Sequence, residues 1–147
     1  MAARTERDTL NGLIEICRDS AKGFRLAADH VADPELKRLF AVAARQREVF
    51  AVELLPYARR LGGDMDAPGT AAAALHRGWI RVKDALTGYD EGAVLAEALR
   101  GESVAANTYA EAVMNLLPPN ARPVIERQYA EIRSVQHELD EITFPAA

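Results

Sequence analysis

Residues 93–117, AVLAEALRGESVAANTYAEAVMNLL, decide the fold. Leu95, Ala98, Ala105, Tyr109, Ala112 and Leu116 recur in alternating steps of three and four, with Glu102 standing in the one remaining place. That spacing lays them along one face of a helix. A carboxylate on a buried face needs a partner, because an isolated buried charge is strongly disfavoured. Gly101, beside it in mid-helix, costs about 1 kcal/mol relative to alanine. Close approach of a neighbouring helix would offset that cost.

Three more segments carry the same kind of seam. Residues 5–31 place Leu10, Ile14, Cys17, Ala21, Phe24, Ala28 and Val31 on one side. Thr5 and Asp8 have capping-box spacing. Cys17 belongs to an apolar row and reads as a small core residue, not a nucleophile. Residues 34–61 give Leu36, Phe40, Ala43, Arg47, Phe50, Leu54, Tyr57 and Leu61, with Arg47 as a second intruder. Asp33-Pro34-Glu35 starts this helix through a cap, a first-turn proline and a favourable dipole charge. Pro56 falls inside the seam and predicts a kink, and Gly62-Gly63 ends the helix. Residues 120–142 give Ala121, Ile125, Gln128, Ile132, Val135, Leu139 and Ile142, with Asn120 as the expected cap and Gln128 as the third intruder.

Between the second and third seams lies a long connection. Within it residues 70–86 read as a further amphipathic helix, with Ala72, Leu75, His76, Trp79 and Leu86 along one side. Such a crossover can return the chain to the end where the second helix began. Asp90 would then cap the next helix, spanning 90–117, and Pro118-Pro119 would close it. Two helical hairpins joined by a long crossover form an all-α, ferritin-like four-helix bundle. The seven-residue spacing of the seams predicts shallow, left-handed crossing. All 147 residues read as one domain.

Composition excludes several function classes. A net charge of −4 gives no footprint for nucleic acid or an anionic membrane. No apolar run is long enough to span a bilayer, and the first residues lack a signal-peptide core. The single cysteine forbids an internal disulfide and suits a reducing compartment. The expected location is the cytoplasm.

Heights along the helices can be counted from their starts. Arg47 lies 13 residues beyond Pro34, and Glu102 lies 12 beyond Asp90. If these helices are parallel, the two side chains meet at one level as a buried ion pair with fork geometry. Counted from Pro118-Pro119, Tyr109 and Gln128 come close, and the amide can bond the phenol. The expected buried polar layer is therefore Arg47, Glu102, Tyr109 and Gln128, setting register and helix order.

Several strings carry a family resemblance: LIEICRDSAKGF (13–24), DPELKRLF (33–40), ALHRGWI (74–80) with LTG (86–88), and RGE (100–102). Together they resemble a bacterial family of four-helix-bundle proteins of the ferritin-like superfamily, a domain of unknown function. The resemblance covers nearly the whole chain. It implies a soluble bacterial protein of a group discussed as stress-related. The superfamily also suggests a di-iron carboxylate site, which requires Glu from two helices and Glu-x-x-His from each of two others. Here Ala27, Ala73 and Ser134 precede His30, His76 and His137 at that spacing. The iron chemistry is therefore not carried over.

The remaining candidates are few. His76 and Trp79 share a face and could form a partner surface. His137 and Glu141 could hold a stray metal, although two ligands do not make a functional site. Asp29, His30 and Asp33 cluster at a helix turn, where capping is the simpler account. No phosphate loop or nucleophilic triad is present. The expectation is a non-enzymatic structural or interaction module that self-associates, with no catalytic residues, no cofactor and no bound metal. The alternative is a metal-dependent oxidoreductase or metal-storage protein. In that case Glu102, with His137, Glu48 or Glu53, would bind iron, manganese or zinc.

Overall fold

The structure, a computed structural model, describes residues 5–62 and 91–145. Residues 70–86, with His76 and Trp79, and the expected cap Asp90 lie outside the described residues. Four helices and no strand are present among the described residues: α1 Glu6–His30, α2 Pro34–Arg60, α3 Glu91–Met114 and α4 Arg122–Thr143. They form a helical bundle.

The first hairpin is set by local chemistry. The Thr5 hydroxyl accepts from the Asp8 amide at 3.0 Å, and Asp33 accepts from the Glu35 amide at 2.9 Å. Both bonds satisfy amides that have no partner inside the helix. α2 remains helical through Pro56 and ends where Gly62, at φ 68°, donates to the Arg59 carbonyl. That left-handed conformation is one glycine adopts without a Cβ clash.

The second hairpin departs from expectation at three places. α3 stops at Met114, not Leu117. A residue preceding proline is pushed out of helical backbone, so Leu117 cannot continue the helix into Pro118. The Asn115 amide tightens the last turn by bonding Ala112, and the phase of the seam breaks there. Leu116 is consequently 73% exposed, and Leu117 faces the core instead. Asn120 does not cap α4. The cap position is Ala121, in helical backbone with no side-chain bond, because the turn already ties the Ala121 and Arg122 amides to the Pro118 carbonyl. Arg122 serves the opposite end, donating to the Val113 and Asn115 carbonyls at 2.9 Å each. A cation there also complements the α3 dipole. Third, Ile142 is exposed at the end of α4, beside a groove shared with α2.

Helix directions follow from cross-links. Glu91, opening α3, accepts from the Ala32 and Asp33 amides in the α1–α2 turn, at 2.6 and 3.1 Å. α2 and α3 therefore start at the same end and run parallel. Arg127 near the start of α4 reaches Glu53 late in α2, so those two run antiparallel. Close packing joins α1 to α2, α3 to α4 and α1 to α3, and α2 touches α4 most sparsely. α2 and α3 do not pack on each other; they lie across the diagonal.

The core runs through the centre of these four helices. The six apolar seam residues of α1, and Val31 just beyond its end, are all buried. Burying a large apolar side chain contributes roughly 1.5–3 kcal/mol, so this seam alone is a large part of the driving force.

Candidate functional site: a closed polar layer in the core

Arg47, supplied by the α2 seam, is one of the largest fully buried side chains among the described residues. Its Nη1 donates to Glu102 Oε1 at 2.6 Å, and its Nη2 donates to Glu102 Oε2. Its Nε donates to the Gln46 side chain at 3.1 Å. The Phe24 ring lies 5.4 Å from the guanidinium carbon and is stacked against Phe40. The cation thus has a bidentate carboxylate on one edge and an aromatic face beside it. Burial disfavours its charge, but the field and bonds of Glu102 outweigh that and hold its pKa above the ordinary arginine value.

A second set of bonds completes the layer. The Tyr109 hydroxyl donates to Gln128 Oε1 at 2.7 Å and stands 3.1 Å from Cys17 Sγ. With the phenolic proton given to Gln128, the thiol donates to the phenol oxygen. Gln128 Nε2 donates to the Phe50 carbonyl at 3.3 Å and to Glu53 at 3.1 Å. Both amide hydrogens and the amide oxygen are therefore used. Glu53 in turn pairs with Arg127 at 2.5 Å, at the edge of the bundle.

Cys17 and Glu53 are the members that periodicity did not place here. Cys17 looked like a plain core residue. One signal could have found it: Cys17 and Arg47 lie at equal distance, 15 residues, on either side of Ala32. In a tight antiparallel hairpin that equality means equal height. Glu53 sits beside the seam, not in it, and reaches the layer only because Gln128 extends towards it.

The layer's chemistry is that of a closed network. Burial pushes the Cys17 thiol up to about 11. Burial, then the neighbouring Cys17, raises Tyr109 well above the usual phenol value. Neither is a competent nucleophile or base near neutral pH.

The residues considered as metal ligands lie apart. Glu102 spends both oxygens on Arg47. Glu48 pairs with Arg25 at 2.5 Å on the surface between α1 and α2. His137 is exposed and pairs with Glu141 at 3.1 Å. Among the described residues, no group of three or more His, Cys, Asp or Glu could hold a metal ion. A di-iron carboxylate centre needs a set of such donors at one point, and this donor set does not fit it. At the helix turn, Asp33 acts as a cap, while His30 bonds the Leu26 carbonyl at 2.9 Å. None of the described helices is long and apolar enough to cross a membrane.

Comparison with curated proteins finds no match. The profile of a family described as a domain of unknown function, DUF2383, matches residues 5–115, a span that includes Cys17, Arg47, Glu102 and Tyr109. The chain belongs to the DUF2383 family.

Proposed function

We propose that this chain is a bacterial, cytoplasmic, ferritin-like bundle of left-handed packing that serves as a structural or interaction module and carries no metal cofactor. Arg47 carries the reading. Its guanidinium takes both oxygens of Glu102, the one buried carboxylate among the described residues, so neither oxygen is left for another cation. A fixed organic cation removes the need for a metal ion and blocks access to the carboxylate. The parallel course of α2 and α3, and the long connection between them, support the ferritin-like assignment. A satisfied polar layer of this kind is well suited to fixing helix order and register, since any slip would strand buried charges.

Elemental analysis of tag-free protein tests the reading, together with ferroxidase and peroxidase assays. The expected result is no stoichiometric iron, manganese or zinc and no turnover. Stoichiometric metal, or steady-state turnover that disappears in Glu102→Gln, would overturn it.

A further inference from the structure

The two hairpins are joined unequally. α3 is tied to the first hairpin by charge at two levels. Glu91 holds the amides of the α1–α2 turn, and Glu102 holds Arg47 in the core. α3 also packs along α1. α4 has less to hold it. Its buried residues are Ile125, Gln128, Ile132, Val135 and Leu139, the shortest such row of the four helices. Its seam with α2 is the sparsest in the bundle.

Among the described residues, every side-chain hydrogen bond and ion pair between α2 and α4 falls in one short stretch. Glu53 accepts from Arg127 at 2.5 Å and from Gln128 Nε2 at 3.1 Å, and the Phe50 carbonyl accepts from Gln128 at 3.3 Å. Arg127 also holds Glu131, one turn along α4, at 3.4 Å. Glu53 and Arg127 are partly exposed, whereas Gln128 is fully buried. The stretch therefore runs from solvent into the core, where the bonds continue to Tyr109 and Cys17. Towards the end of α4 the two helices part into the groove rimmed by Leu39, Val42 and Ile142. There α4 is held by the buried side chains of Ile132, Val135 and Leu139 and, among the described residues, by one side-chain bond to α3, from Gln136 to Ser103 at 3.1 Å.

A segment with few buried contacts and an open edge belongs to the low-stability end of a fold. An opening that starts at the groove meets its first charged obstacle at Glu53. Passing it strands the buried amide of Gln128, which is costly. We infer that α4 opens away from α2 from the groove upward, and that Glu53, through Arg127 and Gln128, is the latch that stops the opening short of Tyr109 and Cys17. This is a conformational device beyond the interaction-module reading, and metal content and turnover, which decide that reading, are independent of it.

Hydrogen exchange and Cys17 alkylation of the full chain, at urea concentrations below the unfolding midpoint, test the latch. In the wild type, protection of the amides of residues 133–139 should be lower than that of residues 13–24 by roughly tenfold or more, with little urea dependence. Cys17 should label only through global unfolding. In Glu53→Ala the opening should extend. Protection of residues 124–130 should fall to that of 133–139, and Cys17 should label roughly tenfold faster than global unfolding allows, the factor that a lost bond to a charged group represents. That labelling should depend only weakly on urea, with helical circular dichroism unchanged. Arg127→Gln leaves Gln128 its bond to Glu53. It should show the same change to a smaller degree, and it carries the test if Glu53→Ala does not fold. Wild-type protection as high in residues 133–139 as in α1 overturns the opening. Labelling of Cys17 that merely shifts in parallel with the urea midpoint of the variants makes Glu53 an ordinary stabilising contact and overturns the latch.

Discussion

Arg47 and Glu102 close a two-bond ion pair across the diagonal of the bundle, between two helices that do not pack on each other. The pair is therefore a strut through the centre. Long side chains span a distance that the backbones leave open, and both charges are fully removed from water.

Removing one end of the strut should be costly. Arg47→Ala or Glu102→Ala is expected to destabilise the chain by roughly 3–5 kcal/mol, because each leaves a charge buried without its partner. Replacing both with Met and Leu should cost much less than the sum. Urea titrations of the four variants form a double-mutant cycle, and a coupling energy near zero would sink the strut.

Tyr109 joins the thiol to the amide, so its hydroxyl should matter more than its size. Tyr109→Phe leaves the Cys17 thiol and Gln128 Oε1 without partners and should cost about 1–3 kcal/mol. Adding Gln128→Leu removes the stranded amide oxygen. If the second change deepened the loss by its full single-mutant cost, the phenol and amide would not be acting as one unit.

Cys17 should resist modification in the native state. The thiol is buried and its pKa is pushed up to about 11 from a model-peptide value of 9.0. Alkylation at neutral pH should track unfolding, with labelling appearing only in denaturant. The same shift has a sign for stability. Above pH 9 the unfolded chain releases the thiol proton while the native state holds it until about 11. The contribution is complete below pH 9 and is lost as pH rises through that window, by at most about 1.4 kcal/mol per pH unit. Denaturation between pH 8 and 11 should show a shallower fall for Cys17→Ala than for wild type. Equal slopes would contradict a protonated thiol in the core.

Glu91 ties the start of α3 to the first turn by accepting two backbone amides. Glu91→Ala should destabilise by about 0.5–1.5 kcal/mol, the net worth of a hydrogen bond whose exposed donors water can take over. Glu91→Gln keeps an acceptor oxygen and should recover part of the loss. Hydrogen exchange at Ala32 and Asp33 reports the local effect, and unchanged protection in Glu91→Ala would refute the tie.

The periodic residues of each segment determined the helices, because a 3.6-residue repeat fixes which side chains share a face whatever lies beyond it. Thr5 and Asp33 announced two caps through short-range hydrogen bonding alone. Constant helical rise also put Arg47 at the height of Glu102, and Tyr109 near Gln128, since height needs only a residue count from the nearest turn. Lateral arrangement is another matter. Whether α2 and α3 are neighbours or stand across a diagonal depends on how all four seams close together. The entry of Cys17 and Glu53 into the polar layer depends on side-chain reach across that closed interior. The early end of α3 turned Leu116 outward and Leu117 inward, as pre-proline sterics overrode a seam that periodicity alone would have continued. Arg122 capping the preceding helix, and Ile142 left at an open groove, are likewise products of the second hairpin's geometry. Sequence spacing records inside, outside and height; which groups finally touch was decided by the packing of helices far apart in the chain.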